Sequence, residues 1–423
     1  MSDDRLDVFL RTDRAGSLSW DRSGHRATFA YNDAYRDAPD PTPLSLSMPL
    51  TAARHRGEAV TNYWWGLLPD NDAVLERWAR QFRVSLASPM GLLRNVGAEL
   101  PGAVSVLETE ARPQAPSSKT TWITEADVEE LLAEVRADGT AWLGAGGRWS
   151  LAGAQAKLAL VERDGRWGIP SGVLATNRVL KPAIPGLVAH DLNEHLCLAT
   201  ARRLGLRAVR SRLITFGSER AIVIDRFDRR ADARGRNQIR FHQEDLGQAL
   251  GVHPSSKYQS DGGPPPIDIV RMFREHAIAG DDPSDVDRFV DALMYNWLMA
   301  VPDAHAKNYS VLLHGGSVRL APLYDIASVL PYEDTHVPKA KLAMKIGGSY
   351  RVTSIGLGAR RRFATDASLE VERVVDRARF LCDNAPAALS DAVAALDDPS
   401  DRMAVRLLDG VTAHAAACRA RLC

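Results

Sequence analysis

Three residues late in the chain constrain the fold most. Val301-Pro302-Asp303-Ala304-His305-Ala306-Lys307-Asn308 sets an Asp five residues before an Asn, and Pro322-Leu323-Tyr324-Asp325 brings a second Asp. For the three to act together, the chain must carry Asp325 back to the Asp303 loop. The residues between them suit that return. Tyr309-Ser310-Val311-Leu312-Leu313 and Val318-Arg319-Leu320 predict a hairpin around Gly315-Gly316. Upstream, Ser284-x-x-Asp287 reads as a capping box. It opens a helix whose apolar face is Val286, Phe289, Val290, Leu293, Trp297 and Val301, and that helix aims the loop. One carboxylate can orient or deprotonate an attacking hydroxyl. An amide oxygen and a second carboxylate can hold a metal on phosphate oxygens. Asp303, Asn308 and Asp325 therefore suit phosphoryl transfer from a magnesium nucleotide. His305, inside the loop, reads as a scaffold or nucleotide contact rather than a base.

Such chemistry needs a phosphate-binding half upstream. Gly144-Ala145-Gly146-Gly147-Arg148-Trp149-Ser150-Leu151-Ala152-Gly153-Ala154-Gln155-Ala156-Lys157 is rich in small residues, which let backbone N–H groups approach phosphates. It lacks the Gly-Lys-Ser/Thr ending of a Walker A loop, and a plain hairpin turn is an equally common use of such a stretch. Arg178-Val179-Leu180-Lys181 follows as a strand ended by Pro182, which places Lys181 where a cation could grip phosphates. The next helix turns Leu192, Leu196 and Ala199 inward and stops near Gly205. Its Glu194 could pair with Lys181, as the strand lysine and helix glutamate do in kinases. Residues 209–216 and 221–225 predict a hairpin about Gly217-Ser218. Asp225-Arg226-Phe227-Asp228 then leaves the sheet where an adenine would sit, with Phe227 shaping its pocket. Arg229-Arg230-Ala231-Asp232-Ala233-Arg234-Gly235-Arg236 continues as a solvated charged turn, and residues 255–266 form a polar, mobile loop rich in Gly and Pro.

The start of the chain differs in character. Leu6, Val8 and Leu10, then Leu18 and Trp20, then Ala27, Phe29 and Tyr31 alternate with polar residues and predict an antiparallel meander. Pro43-Leu44-Ser45-Leu46-Ser47-Met48-Pro49-Leu50 is expected to be extended. After Leu67-Leu68-Pro69-Asp70-Asn71, a helix carries Val74, Leu75, Trp78 and Phe82 on one face. Trp64 and Trp65 read as core or an interdomain seam rather than a binding platform. Arg112-Pro113-Gln114-Ala115-Pro116-Ser117-Ser118 is a linker, and Thr124-x-x-Asp127 caps the helix after it. At 423 residues, two or three packed units are expected. A formal net charge of zero gives no global field toward nucleic acid or membrane. Four cysteines without CxxC spacing argue for reduced thiols in a cytoplasmic protein and against a zinc site. Arg360-Arg361-Arg362 is the dense basic run of the C-terminal half. Such runs are mostly solvated, and a phosphate-backbone contact is the minority reading.

Taken together, these motifs resemble the HipA family, the serine/threonine-kinase toxins of bacterial HipBA toxin–antitoxin systems. The resemblance spans nearly the whole chain. Residues 43–50, 67–71 and Gly102-Ala103-Val104 look like the family's N-terminal subdomain. Ser150 to Lys157 resembles its Gly-rich loop, and Asp303 to Asn308 with Tyr324-Asp325 its catalytic and metal motifs. It implies that Asp303 accepts the proton, that Asn308 and Asp325 hold Mg2+, and that Lys181 grips the phosphates. Ala152, Gly153, Ala154, Gln155, Ala156, Lys157, Asp225, Arg226, Phe227, His305 and Tyr324 would line the ATP site. Ser150 matches the family's autophosphorylated serine. The implied partners are a dimeric helix-turn-helix antitoxin of the HipB kind, operator DNA through that complex, and a protein substrate, typically an aminoacyl-tRNA synthetase. Growth arrest is the implied consequence, with no role for a membrane. Two departures stand out: Pro302 replaces a polar residue before the catalytic Asp, and Asp225 replaces a Glu in the hinge.

The expected fold is α+β and protein-kinase-like. It comprises an N-terminal β-rich subdomain over 1–112, a small ATP lobe over 121–227 and an all-helical C-lobe over 228–423. Two other functions fit part of this pattern. A small-molecule phosphotransferase would share the Asp-x4-Asn chemistry, and a pseudokinase acting as an antitoxin-bound co-repressor would keep only the fold. The first leaves the N-terminal subdomain without a purpose. The second leaves Lys181, Asp303, Asn308 and Asp325 without one.

Overall fold

The structure, a computed structural model, describes residues 5–21, 26–109, 111–113, 119–141, 149–233, 238–278, 280, 284–332 and 337–422. The chain divides into two compact units. One gathers Met1–Ile184, Ile214–Ser255 and Ser310–Ser317; the other gathers Pro185–Leu213, Ser256–Tyr309 and Val318–Cys423. The linker at 114–118 and the glycines at 144–147 lie outside the described residues.

The first unit begins with the expected meander. Arg5–Leu10, Asp13–Trp20 and Ala27–Tyr31 pair antiparallel. Val104–Glu108 and Arg54–Arg56 extend the sheet at its two ends. Alternation buries Leu6, Val8, Leu18 and Phe29 against Tyr63, Trp64 and Trp78. Of the two readings, core or seam, Trp64 is core. Asn71 caps the helix Asp72–Phe82 by accepting from the N–H groups of Ala73 and Val74. Residues 43–50 depart from the extended reading. Ser45 and Met48 bridge across a turn closed by Met48 N–H on the Ser45 carbonyl at 3.0 Å, and the Ser45 hydroxyl accepts from Ser47 N–H. Local serine-to-backbone bonding outweighs the two prolines here.

In the second sheet of this unit, Glu219–Asp225, Arg178–Pro182, Leu158–Arg163, Arg166–Pro170 and Thr120–Ile123 lie in that order. Lys181 stands opposite Ile222, and Leu158 opposite Leu180. The helix Glu125–Ala137 starts at the predicted capping box, Thr124 with Asp127. It buries Val128, Leu132 and Val135 against Leu158, Leu160, Trp167, Leu180 and Val223.

The second unit is mainly helical, with His190–Arg203, Pro266–Glu275, Asp285–Leu298, Leu357–Asp366, Val371–Ala394 and Arg402–Ala420. The half of the chain after residue 228 is not all-helical, however. Arg229–Ala231 pairs with Gln238–Arg240, His242–Asp245 with Ser310–His314, and Lys341–Ile346 with Ser349–Arg351 across Gly347-Gly348. These segments are short and bounded by turns, so cross-strand pairing satisfies their backbone where too few residues remain for a helix. Arg360 is fully buried. Its guanidinium lies 3.6 Å from the Trp297 ring centroid and donates to the Ile355 carbonyl at 2.8 Å. A cation stacked on a core indole cannot reach DNA, which removes Arg360 from the basic run; Arg361 and Arg362 are exposed. Cys197, Cys382 and Cys418 are free and buried. No helix among the described residues is long and apolar enough to cross a membrane.

Candidate active site

The candidate residues fall into two groups, one in each unit. In the first unit, the described part of the Gly-rich loop is braced by the segment before the Asn71 cap. The Ser150 hydroxyl donates to the Leu67 carbonyl at 2.7 Å, and Ser150 N–H donates to the Glu99 carbonyl at 3.0 Å. Pro69 and Gly153 form a parallel bridge, and Asp70 N–H donates to the Gly153 carbonyl at 3.1 Å. Ser150 has no exposed surface, and Trp149 and Leu151 beside it pack into the N-terminal core. Gly153 has φ +104°, which a side chain would resist, and a Cβ there would stand 2.7 Å from the Lys157 ammonium. That ammonium donates to the Ala152 carbonyl at 2.7 Å, so Lys157 closes the loop on itself. Gln155 donates to the Pro182 carbonyl at 3.2 Å, tying the loop to the end of the Lys181 strand. Lys181 is buried, as is Glu194 in the second unit.

The expected hinge splits in role. The Asp225 carboxylate is half-exposed and lies 3.4 Å from Arg178, whose guanidinium also bonds Glu162 at 2.7 Å. Phe227 is half-buried. The Arg226 guanidinium is committed elsewhere. It donates to Glu99 at 2.9 Å, to Thr176 at 2.7 Å, and to both Asp228 oxygens at 3.0 and 2.8 Å. Arg229 joins the same cluster at 2.7 Å from Asp228 and 3.1 Å from Glu99, and Arg240 at 3.0 Å from Glu99. Arg229 is therefore not the solvated residue expected of it. Burial pushes the Glu99 carboxyl up, but Arg229, Arg240 and Arg226 outweigh it and hold the group below the usual carboxylate range. Burial likewise opposes ionisation of Asp228, and Arg226 and Arg229 overcome it. Asp228 also accepts from Gly102 N–H at 2.7 Å, which pins Gly102-Ala103-Val104 to the hinge. The contacts that join Glu99 to the three arginines span more than a hundred positions, so no local pattern reveals them.

In the second unit, the helix Asp285–Leu298 starts at the predicted Ser284–Asp287 capping box. It ends with Val301 N–H donating to the Asn296 carbonyl at 2.9 Å, and the chain turns into the Asp303 loop. The Asp303 carbonyl accepts from the Asn308 side-chain amide at 2.6 Å and from His305 N–H at 2.8 Å. Because the Asn308 nitrogen is spent inside the loop, its oxygen remains the group for a cation. The Tyr324 hydroxyl donates to the Lys307 carbonyl at 2.9 Å, and Asp325 follows with φ 57°, an unusual conformation for a non-glycine residue. The structure thus brings Asp303, His305, Asn308 and Tyr324 into one bonded loop system, with Asp325 the next residue. An oxygen-only donor set of one amide and one carboxylate fits a hard divalent cation such as Mg2+.

Sequence reasoning missed Tyr258. Its hydroxyl donates to Asp303 Oδ1, and its ring stands edge-on to His305 with centroids 4.9 Å apart. The segment carrying it, expected to be mobile, is tied down. Ala306 N–H donates to the Lys257 carbonyl at 3.2 Å, and Lys345 N–H donates to Gln259 at 2.7 Å. No local sequence signal marks Tyr258, because its partners lie more than forty residues away.

Known proteins resemble this chain in both sequence and fold. The model of the HipA-like C-terminal domain matches residues 149–389, and that of the HipA N-terminal domain matches residues 6–107. The chain is 32% identical to Y4mE of Sinorhizobium fredii, named a candidate kinase, over 91% of this chain and 90% of that one. It is 26% identical to the serine/threonine-protein kinase toxin HipA of Shewanella oneidensis, over 83% of this chain and 80% of that one. Among solved structures, the Shewanella oneidensis MR-1 toxin–antitoxin complex of HipA, HipB and operator DNA contains a similar chain. The TM-score is 0.85 at 22% identity, covering 99% of this chain and 98% of that one. The fold is therefore the expected kinase-like α+β fold, and the chain belongs to the HipA family of kinases.

Proposed function

We propose that this chain is an ATP- and magnesium-dependent serine/threonine protein kinase that acts as the toxin of a toxin–antitoxin pair. The observation that carries this reading is the Asp303 loop. Asn308 is locked by its nitrogen to the Asp303 carbonyl, while the Asp303 side chain keeps 57% of its surface exposed, accessible to an incoming hydroxyl. Asp303 would take the proton of that hydroxyl. Asn308 and Asp325 would hold the magnesium, which neutralises phosphate charge when bound. Lys181 and the Gly153 loop would grip the nucleotide phosphates, with Asp225 and Phe227 beside the base. Arg226 would serve through its place in the hinge, since its guanidinium is bonded to Glu99, Thr176 and Asp228.

Ser150 is the proposed site of self-modification. A phosphoryl group would add about two negative charges. A side chain with no exposed surface, bonded to a backbone carbonyl, has no room for them. The segment around Ser150 would leave its site, and the nucleotide loop would lose its brace. The proposed partner is a helix-turn-helix antitoxin dimer bound to operator DNA, supported by the composition of the Shewanella complex. The proposed substrate is an aminoacyl-tRNA synthetase, which rests on the family resemblance.

Intact mass tests the reading. Phosphatase-treated chain is incubated with ATP and magnesium. Wild type is expected to gain about 80 Da per phosphoryl group, Asp303→Ala to gain nothing, and Ser150→Ala to lose one increment. No gain in wild type, together with no magnesium-dependent ATP binding, would remove the kinase reading.

A further inference from the structure

The Asp303 carboxylate is held on one side only. The Tyr258 hydroxyl donates to Oδ1, and the His305 ring nitrogen Nε2 stands 3.7 Å from that same oxygen. Oδ2 receives no hydrogen bond among the described residues. A carboxylate acting as proton acceptor must present one lone pair along the path of the attacking hydroxyl. A free Asp side chain rotates through several orientations. Fixing Oδ1 selects one of them and leaves Oδ2 for the substrate.

The tyrosine is itself well placed to fix something. Its carbonyl accepts from Asp261 N–H at 3.0 Å and from Gly263 N–H at 2.9 Å, closing a compact turn. A Cβ on Gly263 would stand 2.6 to 2.9 Å from the carbonyl oxygens of Ser256, Tyr258 and Lys257, so that position requires glycine. Lys257 and Gln259, on either side, are each bonded to a different segment of the same unit, at Ala306 and Lys345. The ring rests edge-on against His305, and His305 is buried. Backbone, ring and hydroxyl are thus all restrained, as a group that orients another must be.

We propose that Tyr258 is a positioning residue for phosphoryl transfer, which holds Asp303 by Oδ1 so that Oδ2 faces the hydroxyl to be phosphorylated. This rests on the kinase reading above. The two substitutions available separate ring from hydroxyl. Tyr258→Phe keeps the edge contact with His305 and loses only the donor. Tyr258→Ala loses both.

The test follows phosphate incorporation into phosphatase-treated full-length chain by intact mass, at several ATP concentrations with magnesium. Tyr258→Phe is expected to lower the maximal rate about tenfold. The half-saturating ATP concentration and the melting temperature should stay at wild-type values. Tyr258→Ala is expected to fall further. An unchanged maximal rate in Tyr258→Phe overturns the proposal. So does a faster rate, which would make the tyrosine a competitor for the acceptor oxygen. A loss confined to ATP affinity or to melting temperature overturns it as well, because that is what a purely structural tyrosine would give. Wild type that incorporates no phosphate fails at the earlier step and removes the kinase reading along with the proposal.

Discussion

At the scale of single residues, Glu99 illustrates how a buried charge fixes a structure. Its carboxylate faces three guanidiniums, those of Arg226, Arg229 and Arg240, with Asp228 as the second anion. Neutralising one anion leaves three buried cations against one carboxylate. Breaking such a group by removing one partner typically costs about 3–5 kcal/mol. Glu99→Gln is therefore expected to lower the unfolding free energy by an amount in that range, measured by urea unfolding. A loss below about 1 kcal/mol would mean that the cluster behaves as surface ion pairs do. This residue was not legible in the sequence. Glu99 lies more than a hundred positions from the three arginines, and nothing local distinguishes Arg226 or Arg229 from solvated neighbours. Asp303 and Asn308 could be read as one loop because only five positions separate them, and the Asn308 amide does bond the Asp303 carbonyl.

At the scale of elements, the Gly-rich loop depends on a segment the sequence assigned to another part of the chain. Leu67 and Asp70 each contribute a backbone group to it, and Pro69 stands in bridge register with Gly153. Capping boxes, strands around Lys181 and the helix leading to Asp303 could all be read from residue spacing, because they are decided within ten residues or so. The brace could not be, since backbone groups carry no sequence signature. Gly153 is the point where the two meet, and its left-handed φ makes it sensitive. Gly153→Val combines backbone strain with a clash at the Lys157 ammonium. The expected outcome is a KM for ATP raised about tenfold or more, with the fold retained by circular dichroism. An unchanged KM would show that the loop conformation described here is not the one that binds nucleotide.

At the scale of the whole molecule, stability should carry a pH signature from Glu244. This residue is fully buried, with Oε1 accepting from Leu46 N–H at 2.8 Å. Burial pushes its carboxyl up to about 8, the Leu46 bond lowers it, and Asp245 nearby adds a small upward push. The folded state thus binds a proton that the unfolded chain releases near the ordinary glutamate value. Between about pH 4.5 and 8, the native form holds more protons, so stability falls as pH rises through that window. Glu244→Gln keeps the acceptor for Leu46 and removes the titration. Its unfolding free energy is expected to match wild type near pH 5 and to exceed it at pH 8, by an amount on the order of a few kcal/mol. An equal offset at both pH values would place the origin elsewhere. The first unit also has a consequence for how the chain is made. Its last contribution, Ser310–His314, pairs with His242–Asp245 and follows directly on the Asp303 loop. The first unit therefore cannot make this strand pair until residues well beyond the Asp285–Leu298 helix have been synthesised. A nascent chain must hold His242–Asp245 in waiting while that helix and the Asp303 loop are added, so a stall or proteolytic cut before Ser310 leaves this pairing unmade.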